Sequence, residues 1–242
     1  MPLNAEEISR NYLRIKEQVA QIALQCGRKP DEIRIVVVSK SQPVEVIRAA
    51  LEAGIRIFGE NYPEEAAEKI AALGDVDAEW HMIGHLQSRK SKLVATYFKW
   101  MHSLDSLRLA EKLNRVLVEQ NKKLKVLLEF NIGGEPSKYG WPASDESQWR
   151  NLIPELEKLQ AFDHLQTCGL MTMPPLTATM EESRVYFRQL RRLRDYLQKY
   201  LPAMNLTELS MGTSADFTAA IMEGATLVRI GQAILGPREK KG

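Results

Sequence analysis

The sequence contains little cysteine and no cysteine motif. Only two of its 242 residues are cysteines, Cys26 and Cys168, and they lie far apart, outside any CxxC pair or metal-ligand cluster. This spacing argues against a disulfide framework and against a cysteine-based metal site. We expect both thiols to be reduced, as is usual in a cytoplasmic protein.

A strong charge of one sign and a long apolar run are also missing. The formal net charge is only +2, from 33 basic and 31 acidic residues, so no global field attracts nucleic acid or an anionic membrane. No stretch reaches the ~18 apolar residues of a membrane span. The first residues lack the basic start and apolar core of a signal peptide. We therefore expect a soluble, cytoplasmic protein whose partners must be inferred from its sites.

Short apolar runs alternate with longer amphipathic segments along most of the chain. Eight runs have the length and composition of strands, and the seven segments between them have helical periodicity. This alternation predicts an α/β fold, a parallel (β/α)₈ barrel of the TIM type. The predicted strands are residues 33–39, 55–59, 80–84, 100–104, 124–132, 165–173, 208–212 and 227–231.

An extra helix is predicted before the first strand, and only a short segment follows the last strand. Residues 1–27 contain an amphipathic helix, whereas only "QAILGPREKKG" follows the eighth strand. We expect the N-terminal helix to fill the resulting gap in the outer ring. No linker or internal repeat indicates a second domain, so residues 1–242 are predicted to form a single domain with its barrel at 33–236.

Lys40 closes the first predicted strand, and active sites of such barrels lie at the carboxyl ends of the strands. It alternates with Val36 and Val38, so if these valines fill the barrel, Lys40 points into its mouth. Burial there would lower the pKa of the amine, and the neutral amine attacks aldehydes. The alternative is a lysine whose stem covers apolar wall while its nitrogen reaches water.

Two glycine loops follow the last two strands, "SMGTSADF" (210–217) and "RIGQAILG" (229–236). Loops in these positions often bind phosphate in this fold, and we expect Ser214 to cap the next helix, whose amino end favours an anion. Arg229 adds positive charge or a donor nearby. Ordinary turn chemistry is the alternative for each glycine. Together with Lys40, the loops call for a ligand with an aldehyde and a phosphate, which pyridoxal phosphate has.

Five motifs resemble, in order and spacing, the pyridoxal phosphate homeostasis proteins of the YggS/PROSC type. They are the first-strand lysine segment with "FGEN", "WHMIGHLQSRKSKLV", "HSLDSLRLAEKLN", "CGLMTM" and "LSMGTSADFTAAIMEGATLVRIGQAILG", and they extend from about residue 33 to 236. The resemblance implies a barrel like the amino-terminal domain of alanine racemase. It also implies that Lys40 holds the cofactor as a Schiff base, that residues 210–214 and 229–232 form its phosphate loops, and that Asn61 lies beside its ring.

Members of this family are regarded as regulators of vitamin B6 and amino-acid pools with no established catalytic activity. The resemblance therefore implies a pyridoxal phosphate-binding protein acting in homeostasis without substrate turnover, as a monomer or weak dimer. Its partners would be apo-enzymes that need the cofactor or enzymes of vitamin B6 metabolism. We assign no catalytic residue and no metal ligand. The predicted cofactor-binding residues are Lys40, Asn61, Met171, Ser210, Gly212, Thr213, Ser214, Arg229, Gly231 and Gln232.

The sequence departs from the family pattern at two positions. Arg89 stands where an asparagine is usual, in "LQSRK", and Gln232 stands where a threonine is usual, in "RIGQ". The second change removes a hydroxyl from the predicted phosphate site. Because the backbone amide remains and a glutamine side chain can donate, we expect altered or weaker phosphate contacts rather than loss of the site.

Two other functions and two roles of single residues remain as alternatives. A racemase-like or decarboxylase-like enzyme would need a second acid/base and a cover over the cofactor, and only eleven residues follow Gly231. A Schiff-base aldolase could use Glu129 and Asp105, but its lysine commonly lies on a later strand than Lys40. The remaining alternatives concern single residues: a metal bound by His81 and His85, which lack an evident third ligand, and a secondary cofactor contact by Lys138.

Overall fold

A closed parallel barrel forms the centre of the fold. The structure is a computed structural model that describes residues 3–177 and 179–238; the ends of the predicted domain, residues 1–2 and 239–242, lie outside that range, as does residue 178. Nine strands are present in the described ranges: β1 Arg34–Val38, β2 Ile57–Glu60, β3 Glu79–Met82, β4 Trp100–Leu104, β5 Leu124–Asn131, β6 Trp141–Pro142, β7 Leu165–Met171, β8 Glu208–Thr213 and β9 Leu227–Ile230.

Eight of these strands make the barrel, which confirms the predicted fold class. Each pairs in parallel with the next, β4 pairs with β5, and β9 pairs with β1 to close the ring. The remaining strand, β6, pairs among the described residues only with the carboxyl end of β5, beyond the residues of β5 that pair with β7. Strand β6 was not predicted from the sequence, because a strand of two residues is too short to show an alternating pattern.

Helices surround the barrel. The α-helices in the described ranges are α1 Ala5–Gln25, α2 Val44–Glu52, α3 Pro63–Leu73, α4 Ser91–Tyr97, α5 Leu107–Glu119, α6 Ile153–Glu157, α7 Met180–Tyr200, α8 Phe217–Met222 and α9 Gln232–Leu235. The predicted sixth helix is partly 3₁₀, at Glu146–Leu152 and Lys158–Ala161; where the first of these stretches gives way to α6, Pro154 has no N–H to donate to the preceding turn.

The N-terminal helix fills the gap in the outer ring, as the sequence predicted. Since α9 is a single turn, it cannot cover the last strand alone. Helix α1 packs against α2, α8 and α9, and its buried side chains include Ile8, Ile15 and Val19. The side chain of Asn11 donates to the carbonyl of Ile234 at 3.2 Å, which fixes α1 to the last turn.

Two apolar layers hold the barrel together. The larger lies between the strands and the helices, and a smaller cluster fills the interior with Val36, Trp100, Leu127, Met171 and Leu227. Val36 therefore faces inward, as the alternation of β1 requires. The inward-facing side chains of the strands fill the barrel interior, and the cavity lies at the carboxyl ends of the strands.

A close approach of two backbones sets the shape of the wall at β7. Cys168 is an extra residue in β7, because Val126 pairs with Thr167 while Leu127 pairs with Gly169. A Cβ on Gly169 would lie 1.9 Å from the carbonyl oxygen of Glu208, so only glycine fits there.

No helix in residues 3–177 or 179–238 is both long and apolar enough to cross a membrane. Cys26 is exposed and Cys168 is half-buried, and both are free thiols.

Candidate cofactor site

A cavity of about 410 Å³ opens at the carboxyl ends of the barrel strands. Its volume lies in the range of small-molecule sites. The strand ends that reach it belong to β1, β2, β3, β5, β7, β8 and β9, so the closed ring brings together residues that are far apart in sequence. Seven of the ten predicted cofactor-binding residues line it: Lys40, Asn61, Thr213, Ser214, Arg229, Gly231 and Gln232.

Lys40 enters the cavity directly after β1. The amide of Ser39 still donates to the carbonyl of Gly59, so the strand ladder continues to the residue before Lys40. The chain then turns at Ser41, which has a positive φ of 56°. Within the described ranges, Nζ of Lys40 makes no hydrogen bond and no ion pair. Burial lowers the pKa of this amine, and the nearby Arg238 lowers it further.

A buried ionic cluster supports the backbone beneath Lys40. Nζ of Lys69 donates to the carbonyl of Ser39 and to carboxylate oxygens of Glu60 and Glu65, each at 2.7 Å. The hydroxyl of Ser39 also donates to Glu60, and the amide of Ser41 donates to Glu65. Burial raises the pKa of Glu60, while Lys69 opposes this shift. The cluster fixes both residues that flank Lys40, so the lysine leaves the strand in one direction.

Asn61 lies against the loop after β3. A Cβ on Gly84 would lie 2.6 Å from the carbonyl oxygen of Asn61, so this glycine lets the β2 and β3 loops approach each other. Both residues line the cavity. The glycine of "MIGH" thus has a packing role that places Asn61 at the cavity wall.

The loop after β8 is held by the carboxylate of Asp216, to which no role was predicted. Gly212 has a φ of +89°, and a Cβ there would lie 2.6 Å from the Cβ of Ala220. The expectation that Ser214 caps the next helix is wrong, because Asp216 is the N-cap residue of α8. The Asp216 carboxylate accepts from the amide and the hydroxyl of Thr213. Ser214 is exposed at the cavity wall, and its hydroxyl has no partner among the described residues.

Arg229 is almost fully buried at the base of the cavity. Its guanidinium donates to the hydroxyl of Ser210 at 2.5 Å, to the carbonyl of Thr172 at 3.0 Å and to the sulfur of Met173 at 2.8 Å. Burial lowers its pKa to about 10, so it stays charged at neutral pH.

Three predicted residues lie outside the cavity lining. Met171 belongs to the apolar cluster of the barrel interior, and Met173, two residues further, lines the cavity instead. Ser210 is fully buried between Arg229 and His102, at hydrogen-bond distance from both. Gly212 shapes the loop backbone. The structure thus places these residues behind the wall that the other seven form.

Glu129 and Arg238 line the cavity but were not predicted as binding residues. Burial, followed by the charge of Asp105, raises the pKa of Glu129 to about 7. One of its carboxylate oxygens is buried with no hydrogen-bond partner in residues 3–177 and 179–238. The position of Glu129 at a strand end was visible in the sequence, but its burial was not. Arg238 lies in the tail after α9, where nothing in the sequence indicates that the chain returns to the barrel mouth.

Lys138 and the histidines have partners of their own. Nζ of Lys138 donates to the carbonyls of Met173 and Pro174 and pairs with Glu135, so this amine, unlike Lys40, is engaged. It borders an adjoining shallow pocket. His85 contacts Asp105 at 3.0 Å and stacks on Tyr139. No three potential metal ligands cluster in the part of the chain that the structure describes.

The two departures from the family pattern lie in different surroundings. Arg89 is exposed and donates to the side chain of Gln87 at 3.0 Å. Gln232 begins α9, is exposed and lines the cavity. Only the second departure therefore changes the wall of the site.

The donor set of the cavity fits pyridoxal phosphate. The amine of Lys40, with no partner in the described ranges, would be available to the aldehyde of the ligand, and Arg238, Ser214 and Gln232 would supply positive charge and donors for its phosphate. A half-open cavity of about 410 Å³ has room for a ring that bears both groups.

Comparison with known families defines the class of this protein. A family model described as "Alanine racemase, N-terminal domain" matches residues 7–239. Among solved structures, an alanine racemase of Clostridium difficile has a TM-score of 0.68 at 17% identity, over 99% of this chain and 59% of that chain. At this identity, the likeness shows the shared barrel fold alone. The protein is an alanine-racemase-type barrel.

Closer relatives define the family within that class. The pyridoxal phosphate homeostasis protein of Vibrio alginolyticus is 38% identical over 96% of this chain and 98% of its own. That of Escherichia coli is 37% identical over 96% and 97%. The structure of PipY from Synechococcus elongatus with pyridoxal phosphate bound has a TM-score of 0.83 at 36% identity, covering 95% of this chain and all of that chain. The chain therefore belongs to the pyridoxal phosphate homeostasis protein family.

Proposed function

We propose that this protein binds pyridoxal 5′-phosphate as a Schiff base on Lys40 and acts in cytoplasmic pyridoxal phosphate homeostasis without turning over a substrate. The main support is the state of Lys40: its amine lies in the cavity, has a lowered pKa and has no partner in the described ranges. The PipY structure with the cofactor bound, at 36% identity over nearly the whole chain, supports the choice of ligand.

The attachment needs an amine that is neutral at the moment of attack. Nζ of Lys40 would add to the aldehyde carbon, the amine protons would leave with the carbonyl oxygen as water, and a C=N bond would form. Because the lowered pKa increases the neutral fraction, Lys40 reacts more readily at neutral pH than an ordinary surface lysine. The ionic cluster around Lys69 keeps the flanking backbone in place while this occurs.

The phosphate would bind on the wall beside Lys40, formed by the loops after β8 and β9, because β9 pairs with β1. We assign to it the hydroxyl of Ser214, the side chain and amide of Gln232, and the charge of Arg238. Gly231 keeps the second loop close to β1, since a Cβ there would lie 3.3 Å from Val38. Asn61 and Arg229 would contact the ring side of the ligand. Thr213 would contribute to the wall itself, and Met171, Ser210 and Gly212 would act from behind it.

The absence of turnover is supported by the relatives, which are named for homeostasis rather than for a reaction. One observation favours a second candidate function, a racemase-like enzyme acting on amino acids. Glu129 supplies a titratable carboxyl with a pKa of about 7 in the same cavity, and general acid/base catalysis works best near that value. When bound, pyridoxal phosphate would supply the electron sink that such chemistry needs.

In the homeostasis role, the cofactor must enter and leave. The cavity is open at the barrel mouth, which suits reversible loading. We propose apo-enzymes that require pyridoxal phosphate, or enzymes of vitamin B6 metabolism, as the partners that exchange it. We further propose that residues 1–242 form a single domain and that the protein is a monomer or weak dimer.

Visible absorption spectroscopy tests this function. Wild-type protein mixed with pyridoxal phosphate should develop the absorption band of a protonated Schiff base, and Lys40→Ala should not. Lys138→Ala is the matched control, because it removes a lysine near the same mouth whose amine is already engaged. A band that persists in Lys40→Ala and disappears in Lys138→Ala would refute the assignment.

A further inference from the structure

A chain of hydrogen-bonded side chains crosses the barrel interior and ends at the cofactor cavity. The carboxylate of Glu79 lies 2.8 Å from Nε2 of His81, and Nδ1 of His81 lies 2.9 Å from Nε2 of His102. Nδ1 of His102 lies 2.8 Å from the hydroxyl of Ser210, which accepts from Arg229. His81, His102 and Ser210 are fully buried. The chain therefore connects the amino end of β3 to the arginine that lines the cavity.

The environment keeps both imidazoles neutral. Burial lowers the pKa of His81 and lowers that of His102 well below its usual value. The side chains of Arg34 and Lys125 lie 4.8 and 4.9 Å from the ring centroid of Trp100, and Trp100 stacks on His81. Arg34 and Lys125 disfavour a positive charge on His81, and Arg229 and Arg34 disfavour one on His102, while Glu79 is the carboxylate that opposes them at His81.

The two ends of the chain determine the direction of every hydrogen bond. Arginine can only donate and an ionised carboxylate can only accept. The hydrogen bond from His81 lowers the pKa of Glu79, so its carboxylate is ionised and Nε2 of His81 must donate to it. Nδ1 of His81 then accepts from Nε2 of His102, and Nδ1 of His102 accepts from Ser210. If every hydrogen bond ran in the reverse direction, Nε2 of His81 would carry no proton, and its lone pair would face the ionised carboxylate of Glu79 without a hydrogen bond.

We propose that His81 and His102 are held as neutral Nε2–H tautomers and act as positioning residues for Arg229 through Ser210. Because the Ser210 proton is committed to His102, a lone pair of its oxygen faces the guanidinium. Together with the carbonyl of Thr172, this oxygen fixes the orientation of Arg229 in the cavity wall. The tautomers follow from the network itself. Only the consequence for cofactor affinity rests on the proposed function.

Nitrogen NMR of protein labelled in its histidines tests the tautomers without any added ligand. The chain has four histidines, and the other two provide an internal contrast. His164 donates from Nδ1 to the carbonyl of Lys122, and Nδ1 of His85 faces the carboxylate of Asp105. We expect unprotonated Nδ1 for His81 and His102 and protonated Nδ1 for the other pair. Protonated Nδ1 at His81 or His102 near neutral pH would overturn the proposal.

Ser210→Ala tests the positioning role in the ligand-free protein. The side-chain N–H signals of Arg229, assigned by their loss in Arg229→Met, should be resolved in the wild type and averaged by rotation in Ser210→Ala. Ser91→Ala is the control, because Ser91 is an equally buried serine whose hydroxyl bonds only the carbonyl of Ser88 in the described ranges. Unchanged Arg229 signals in Ser210→Ala would overturn the positioning role.

A double-mutant cycle then measures the consequence for ligand binding. Ser210→Ala should weaken pyridoxal phosphate binding about five- to tenfold, which corresponds to losing one hydrogen bond. The effect should disappear in an Arg229→Met background, because the serine acts through the arginine. An undiminished effect in that background would refute the coupling. If the wild type binds no pyridoxal phosphate, the proposed function fails, whereas the two NMR results still decide the inference about the network.

Discussion

Glu129 should make the ligand-free protein less stable as the pH rises through neutrality. Burial is the main cause that raises its pKa to about 7 from an ordinary value of 4.5, and the charge of Asp105 adds to it, while Arg229 and Lys138 act in the opposite direction. Between these two pH values, the folded state keeps a proton that the unfolded chain has released. Stability from this group is therefore complete below the unfolded pKa and is lost as the pH rises to the folded pKa.

The size of the effect follows from the shift. A difference of about 2.5 pKa units, at about 1.4 kcal/mol per unit, lowers the free energy of unfolding by about 3 kcal/mol above neutral pH. Glu129→Gln keeps the shape of the side chain and removes the titration. We expect the variant to match the wild type near about pH 4 and to exceed its stability by up to about 3 kcal/mol near about pH 8.

Urea unfolding of ligand-free protein over this pH range measures the difference. Buried groups such as Glu60, His81 and His102 also contribute to the pH dependence, but they are present in both proteins and cancel in the comparison. Glu157→Gln, which removes an exposed carboxyl, controls for the change in net charge. If wild type and Glu129→Gln lose stability in parallel between these pH values, Glu129 is not a buried carboxyl with a raised pKa.

Three further predictions concern the loops, the ligand and catalysis. Gly212→Ala should lower the free energy of unfolding in urea by about 2 kcal/mol or more, because Gly212 has a positive φ and an added Cβ would lie 2.6 Å from another atom. Gly74→Ala is the control: Gly74 also has a positive φ but has open space around it, so this change should cost only about 1 kcal/mol. Equal losses in the two variants would contradict the prediction. In equilibrium titrations, Ser214→Ala should weaken pyridoxal phosphate binding by about 1 kcal/mol and Arg229→Ala by about 1.5–3 kcal/mol, and an unchanged Arg229→Ala would remove this arginine from the site. Racemisation, decarboxylation and transamination of amino acids should stay well below about 1 s⁻¹; faster turnover that is lost in Lys40→Ala would favour the racemase-like function.

The barrel could be predicted because its signals are local and repeated. Each strand is an apolar run of the right length, and β4 has the bounds that the sequence predicts, 100–104. Lys40 and the two glycine loops could be assigned to the same mouth because parallel strands bring all carboxyl ends to one side. The two-residue strand β6 and the partly 3₁₀ sixth helix could not be predicted, since they depend on tertiary contacts.

The details of the site depend on burial and on partners distant in sequence. Ser214 and Asp216 are both good cap residues by type, and in the structure Asp216 holds the N-cap position while its carboxylate accepts from the amide and hydroxyl of Thr213. The raised pKa of Glu129 needs its depth in the cavity and the approach of Asp105, which follows a different strand. The network that ends at Arg229 joins residues of β3, β4, β8 and β9. These contacts could not be predicted from the sequence, because they join residues that come together only when the barrel has closed.

Borohydride reduction of the protein loaded with pyridoxal phosphate, followed by proteolysis and mass spectrometry of the fixed adduct, tests most directly whether Lys40 carries the cofactor. We predict one dominant adduct, on the peptide that contains Lys40, because that amine has a lowered pKa and no partner among the described residues. An adduct found mainly on Lys138 or spread over surface lysines would contradict the account.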